Sequence, residues 1–123
     1  MTRVLTDEIC AALPGAIWAD PADGHLGSWN VGGKMFAYLG TAGDGVSVKT
    51  ASVDDAAFLI DIGRAIRAPY FHRSWVRLDW EAQDPFQPGE LRDRIVTSYR
   101  IVRAGLTKKA QAALGPLPDE KPA

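Results

Sequence analysis

Gly32-Gly33-Lys34-Met35-Phe36-Ala37-Tyr38 is the stretch that decides the fold of this chain. Two consecutive glycines supply the positive φ angles of a tight or bulged turn. A strand-like alternation follows at once. It predicts Lys34, Phe36 and Tyr38 on one face, with Met35, Ala37 and Leu39 on the other. Ser28-Trp29-Asn30-Val31 precedes the turn as an extended segment, and Val46-Ser47-Val48-Lys49 resumes the sheet after a Gly40–Gly45 loop. A phosphate-cradling glycine loop must open a helix, because the helix N-terminus supplies the donors. This loop leads into another strand, so it reads as a hairpin connection.

Helices flank the meander. The first is predicted over Asp7–Leu13, capped by Thr6, with Leu5, Ile9 and Leu13 on one face. Ala16–Ala19 is a short strand, and Asp20-Pro21-Ala22-Asp23-Gly24 a turn. A second helix is capped by Ser52 and predicted to run to about Arg67. Phe58, Ile62 and Ile66 form its core stripe, widened by Leu59. Ser74–Trp80 reads as a strand in which Val76, Leu78 and Trp80 alternate with Trp75, Arg77 and Asp79. A third helix over about Gly89–Ala104 repeats Leu91, Ile95, Tyr99 and Val102 on one face, and Thr107–Leu114 is a short terminal helix. Connections this short exclude parallel crossovers in the meander. The expected fold class is α+β, an antiparallel sheet with helices packed on one face. Residues 1–115 are expected to form one domain and 116–123 a flexible tail.

Composition bounds the function. The chain has 123 residues, 46% hydrophobic and 24% charged, which suits a folded domain and not a disordered one. It lacks an apolar run of the roughly 20 residues a membrane helix needs, and its N-terminus lacks the apolar core of a signal peptide. A cytoplasmic protein without a membrane partner is therefore expected. The one cysteine, Cys10, excludes an internal disulfide and a cysteine-cluster metal site, and its apolar helical setting suits a buried thiol. The net charge of −1 conceals an asymmetry: −5 over residues 1–63, +5 over 64–109 and −1 over the rest. Such asymmetry marks either an anionic partner or ordinary solvated helix faces.

Catalytic chemistry finds little support. Neither His25 nor His72 sits in a hydrolase nucleophile motif. Asp20, Asp23 and His25 are candidate ligands for a hard cation, although turn chemistry explains both aspartates. Asp79 and Glu81, followed by Asp84, place two carboxylates on one strand face without a visible perturbing partner, as a solvated edge does. No catalytic residue, cofactor or metal site is predicted. Lys34 invites a different reading. A lysine beside Phe36 and Tyr38 can meet a phosphate while the rings contact bases; in the alternative, Phe36 faces the core and Lys34 snorkels at its edge. Trp75 and Arg77 pose the same choice: with Val76 and Leu78 buried, they lie outside as a stacking pair.

Trp29-Asn30-Val31-Gly32-Gly33-Lys34-Met35-Phe36-Ala37, Val46-Ser47-Val48-Lys49, Ala68-Pro69-Tyr70 with Trp75-Val76, and Ser98-Tyr99-Arg100-Ile101-Val102 with Leu106-Thr107-Lys108-Lys109 form an ordered set. In that set the chain resembles the MmcQ/YjbR family of small bacterial proteins, over about residues 4–114. The resemblance implies a CyaY-like (frataxin-like) α+β architecture and a DNA-binding role through a double-wing motif. It does not carry iron binding across, since the first helix offers only Asp7 and Glu8 as acids. The acidic stretch from Asp79-Trp80-Glu81 to Asp84 departs from the family pattern and would repel a polyanion nearby.

The leading expectation is a non-enzymatic DNA-binding module, weak and mainly backbone-directed, with a monomer favoured. Lys34, Lys49, Arg73, Arg77, Lys108 and Lys109 would contact phosphates, with Trp75 or Tyr70 stacking on bases. Arg92, Arg100 and Arg103 would extend the footprint. The alternative is a small-ligand or protein-interaction domain with a groove lined by Trp29, Phe36, Tyr70, Phe71 and Trp75.

Overall fold

The computed structural model describes residues 2–40, 44–82 and 84–117. Six strands form one antiparallel sheet: β1 (Ile17–Ala19), β2 (Ser28–Val31), β3 (Lys34–Tyr38), β4 (Gly45–Lys49), β5 (Ile66–Arg67) and β6 (Trp75–Asp79), in the order β1-β2-β3-β4-β6-β5. Among the described residues, four α-helices pack on one side: α1 (Thr2–Ala11), α2 (Val53–Asp61), α3 (Pro88–Ala104) and α4 (Lys108–Ala113). The fold is the α+β class expected from the sequence. Helix α3 crosses β2, β3 and β4, α1 leans on α3, and α2 lies against β5 and β6. The expected tail lies, from residue 118 on, outside the described residues.

The turn between β2 and β3 is the glycine pair itself. Gly32 and Gly33 take φ values of 57° and 77° and join the paired residues Val31 and Lys34, as a two-residue hairpin requires. A side chain at Gly32 would also meet Leu106, its Cβ only 2.6 Å from a Leu106 methyl.

The alternation in β3 fails at Phe36. Trp29 pairs with Ala37 but Asn30 pairs with Met35, so Phe36 is the extra residue of a β-bulge. Phe36 and Ala37 are consequently both fully buried, and Phe36 meets the edge of Tyr99 on α3 at 5.3 Å. Tyr38 is displaced to the opposite face from Ala37. Lys34, Phe36 and Tyr38 therefore do not share a face, and the core reading of Phe36 is the correct one. Ser98 completes the bulge. The β3–β4 ladder stops at Ala37 and Val48; one step further, the buried Ser98 hydroxyl donates to the Phe36 carbonyl (2.6 Å) and accepts from the Lys49 N–H (2.9 Å).

The helices depart from expectation at two ends. Helix α1 begins at Thr2, so Thr6 is a fully buried residue within it and not its cap. Helix α2 has its Ser52 cap, the Ser52 hydroxyl accepting from the Asp55 N–H, but ends at Asp61. Gly63 at φ 76° reverses the chain, and Ile66–Arg67 forms the edge strand. The predicted stripe dissolves: Phe58, Ile62 and Ile66 are 60%, 51% and 50% exposed, and only Leu59 and Ala56 reach the core. Helices α3 and α4 match their sequence signals, with Pro88 in the first turn of α3 and the Thr107 hydroxyl capping the Ala110 N–H.

Candidate functional site

Strand alternation sends Val46, Val48, Val76 and Leu78 into the core beneath the helices. The opposite sheet face carries no α-helix among the described residues. Across it runs a row set by strand register: Ser28 beside Tyr38, Tyr38 beside Ser47, Ser47 beside Arg77, and Arg77 beside Ile66. The β5–β6 connection supplies Pro69, Tyr70 and Phe71 at one side of this row. Phe71 lies 5.3 Å from Tyr38 and stacks on Trp75 at 4.8 Å, tilted by 29°. Tyr38, Pro69, Tyr70 and Phe71 line, with Ser47 and Arg77, a cavity of about 310 Å³. A second cavity, of about 530 Å³, lies toward β1 among Ile17, His25, Ser28, Asn30 and Met35.

Tyr70 stands apart from every other aromatic ring. It is fully exposed and, at φ 71°, the one non-glycine with positive φ among the described residues. A side chain there costs about 1–2 kcal/mol relative to an unstrained backbone. His72 braces the next turn, its Nδ1 accepting from the Ser74 N–H at 3.1 Å.

The predicted cations separate into two groups. Lys34 opens β3 at the hairpin, Lys49 ends β4 opposite Trp75, and Arg73 lies two residues before Trp75; all belong to one end of the sheet. The Gly32–Leu106 contact docks the end of α3 on the same hairpin, which brings the first turn of α4, with exposed Lys108 and Lys109, to that end as well. None of these five has an ion-pair partner among the described residues. Arg77 is different. It lies within the open face, its side chain only 18% exposed, and its Nη2 is bound to Asp44. Trp75 and Arg77 do share the outer face, but Trp75 stacks on Phe71 and Arg77 pairs with Asp44, so they form no stacking pair with each other.

Other expected contributors take structural posts. Arg103 is buried; it donates from Nη1 to the Tyr99 hydroxyl at 3.1 Å and from Nη2 to the carbonyls of Gln111 and Gly115, tying α3 to the end of α4. Arg64 grips Glu90 through two bonds of 2.8 and 2.6 Å and lies 4.5 Å over the Phe86 ring. This hydrogen-bonded guanidinium holds the Glu90 carboxyl below its usual range, and Glu90 in turn raises Arg64. Asp20 is consumed by its own turn, accepting from the Ala22 N–H and from Trp18 Nε1. Burial pushes the Cys10 thiol far up, which leaves it protonated and unreactive. The alternative groove is divided: Trp29 and Phe36 face the helices, Trp29 donating to Asp7 at 2.9 Å, while Tyr70, Phe71 and Trp75 belong to the other side.

Sequence reasoning missed Ser47 and Arg67. Ser47 is 2% exposed yet lines the open-face cavity, and Arg67, read as the end of a helix, is an exposed edge-strand cation. The Val46-Ser47-Val48-Lys49 alternation already set Ser47 against the core valines; a Phe71 side chain arching over it had no sequence signal.

An antiparallel sheet covered by helices on one side, with an uncovered face bordered by cations, defines a small α+β module. Its sequence matches the YjbR family over residues 11–101, and the chain belongs to that family. Among solved structures it is similar to the Deinococcus radiodurans protein DR2400, described by a DUF419 domain. The TM-score is 0.74 at 22% identity, over 94% of this chain and 88% of that one. No curated protein matches.

Proposed function

We propose that this protein is a non-enzymatic, cytoplasmic bacterial module that binds DNA weakly and mainly through phosphates, at the hairpin end of its sheet. The observation that carries this reading is the placement of Lys34, Lys49, Arg73, Lys108 and Lys109 at one end of the sheet, without an ion-pair partner among the described residues. Exposed lysines and arginines without carboxylate partners release condensed counterions when they meet a polyanion. Arg77 is excluded from that set because Asp44 already neutralises it. The groups with displaced pKa values lie elsewhere: Cys10 in the core, and the Arg64–Glu90 pair between the end of α2 and the start of α3. A small-ligand role is the second reading, favoured by the cavity over Ser47.

The test is fluorescence anisotropy with a labelled 20-base-pair duplex between 50 and 200 mM salt. Five phosphate contacts give a log–log salt slope of about −4.5, or several hundredfold weaker binding across that range. Lys34→Gln and Lys108→Gln should each flatten the slope by about 0.9, and Arg77→Gln should leave it unchanged. No binding at low salt, or affinity indifferent to salt, removes the proposal.

A further inference from the structure

We infer that the cavity bounded by Tyr38, Ser47, Tyr70, Phe71 and Arg77 takes a single unpaired nucleobase; its delivery by a strand rests on the nucleic-acid reading above, whereas its chemistry does not.

Ser47 is the starting observation. Its residue is 98% buried, its side chain lines the cavity, and its hydroxyl makes no hydrogen bond among the described residues. The hydroxyl opens onto the cavity, where a guest's acceptor or donor can take the place of water. The Tyr38 hydroxyl, poised over Gly40, is likewise unbonded there, and Arg77 spends only Nη2 on Asp44, leaving its other N–H groups without a protein partner among the described residues. The floor is therefore rich in donors and close to neutral. A neutral floor gains little from phosphate or carboxylate. It suits an uncharged ring bearing carbonyl and ring-nitrogen acceptors, which a purine or pyrimidine edge presents.

The walls agree with the floor. Phe71 is fixed by Trp75 behind it and tilts toward Tyr38, an arrangement that offers π-faces to a flat guest. Pockets that enclose a ligand begin at about 300 Å³, so a cavity of about 310 Å³ holds one ring system and not a dinucleotide. Tyr70, fully exposed at the cavity's rim and without a ring contact among the described residues, can stack on the base or on its neighbour. A duplex keeps its bases stacked and presents none of them to such a pocket; a single strand does so at small cost.

The experiment compares a labelled mixed-sequence 12-nucleotide single strand with the matching 12-base-pair duplex by anisotropy, and titrates free cytidine and guanosine by thermal shift. The wild-type protein should favour the single strand by about tenfold, the cost of one stacked base. Ser47→Ala should reduce that preference about fivefold, the value of one hydrogen bond. It should leave duplex binding and melting temperature unlowered, because the hydroxyl it removes has no protein partner among the described residues. Tyr70→Ala, at a fully exposed site, gives a second test that does not depend on the core. Nucleosides that stabilise the wild type but not Ser47→Ala, with strand and duplex bound alike, support the cavity and assign it to free nucleosides. Equal binding of strand and duplex with no nucleoside response overturns the inference, as does a preference that survives both variants. Loss of the phosphate reading shows separately, as salt-indifferent binding of both nucleic acids.

Discussion

Ser98→Ala should destabilise the protein by roughly 2–4 kcal/mol, far more than the loss of one oxygen suggests. The hydroxyl serves two backbone groups at once, the Phe36 carbonyl at 2.6 Å and the Lys49 N–H at 2.9 Å. Phe36 and Ser98 are both fully buried, so water cannot replace the lost contact at the carbonyl. An unsatisfied buried backbone group costs about 1–3 kcal/mol, and the Lys49 end, being half-buried, lies at the lower end of that range. For a domain of this size the change lowers the melting temperature by roughly 10 °C. Urea denaturation measures the free energy, with an unchanged m-value as the sign that both end states are preserved. Hydrogen exchange localises the effect: the Lys49 amide should lose more protection than global destabilisation explains. A cost under about 0.5 kcal/mol with Lys49 still protected would refute the reasoning, since it would mean that β3 and β4 close the gap and pair directly.

Three further outcomes follow from the same geometry. Tyr99→Phe should cost about 2 kcal/mol in urea denaturation, because it leaves the Pro14 carbonyl, 2.7 Å from the phenol, and Arg103 Nη1 short of a partner. Glu90 has a depressed folded-state pKa, so its ionised form stabilises the fold fully above the unfolded value of about 4.3, and that contribution disappears as pH falls through the folded value. The stability gap between wild type and Glu90→Gln should accordingly be about 1 kcal/mol or less at pH 7, since the pair is partly exposed, and close as denaturation is repeated toward pH 3. Tyr70→Gly should hold or raise the melting temperature, while Tyr70→Val, β-branched at a positive φ, should lower it by several degrees.

Where one local rule acts alone, the chain can be read directly. Gly32-Gly33 makes its turn, Ser52 and Thr107 cap their helices, and Leu91, Ile95 and Tyr99 face the core. The structure departs from the local pattern where a non-local contact overrides it. Phe36 breaks the alternation of β3 because α3 supplies Ser98 to bridge the gap, a partner 62 residues away. The helical spacing of Phe58, Ile62 and Ile66 looked like a core stripe, yet Gly63 takes a left-handed turn and Ile66 joins the sheet edge opposite Arg77. Charge behaved similarly. The sequence carries the cationic surplus, but only the fold shows that Arg77, Arg64 and Arg103 are engaged and that the lysines at the hairpin end have no ion-pair partner among the described residues.

The residues that carry the family resemblance are mostly those that hold the architecture. Trp29 bonds α1 through Asp7, Gly32 admits Leu106, Ser98 bridges β3 and β4, and Tyr99 fills the core while its hydroxyl reaches Pro14. Such residues identify a fold without specifying a reaction, which is why the motif names a family more sharply than it names a chemistry. The face left without helices is where chemical choice remains. Ser47 sits there with a hydroxyl unbonded among the described residues, and Gly45 has no room for a side chain, since a Cβ would lie 2.6 Å from the Leu78 carbonyl and 3.1 Å from the Arg77 guanidinium. Gly45 thus lets Arg77 lie flat along the sheet to reach Asp44. The same pairing that takes Arg77 out of the phosphate-binding set fixes it as a neutralised donor beneath Phe71. The sheet face and the cationic end are therefore chemically different surfaces, one suited to a base and the other to the backbone that carries it.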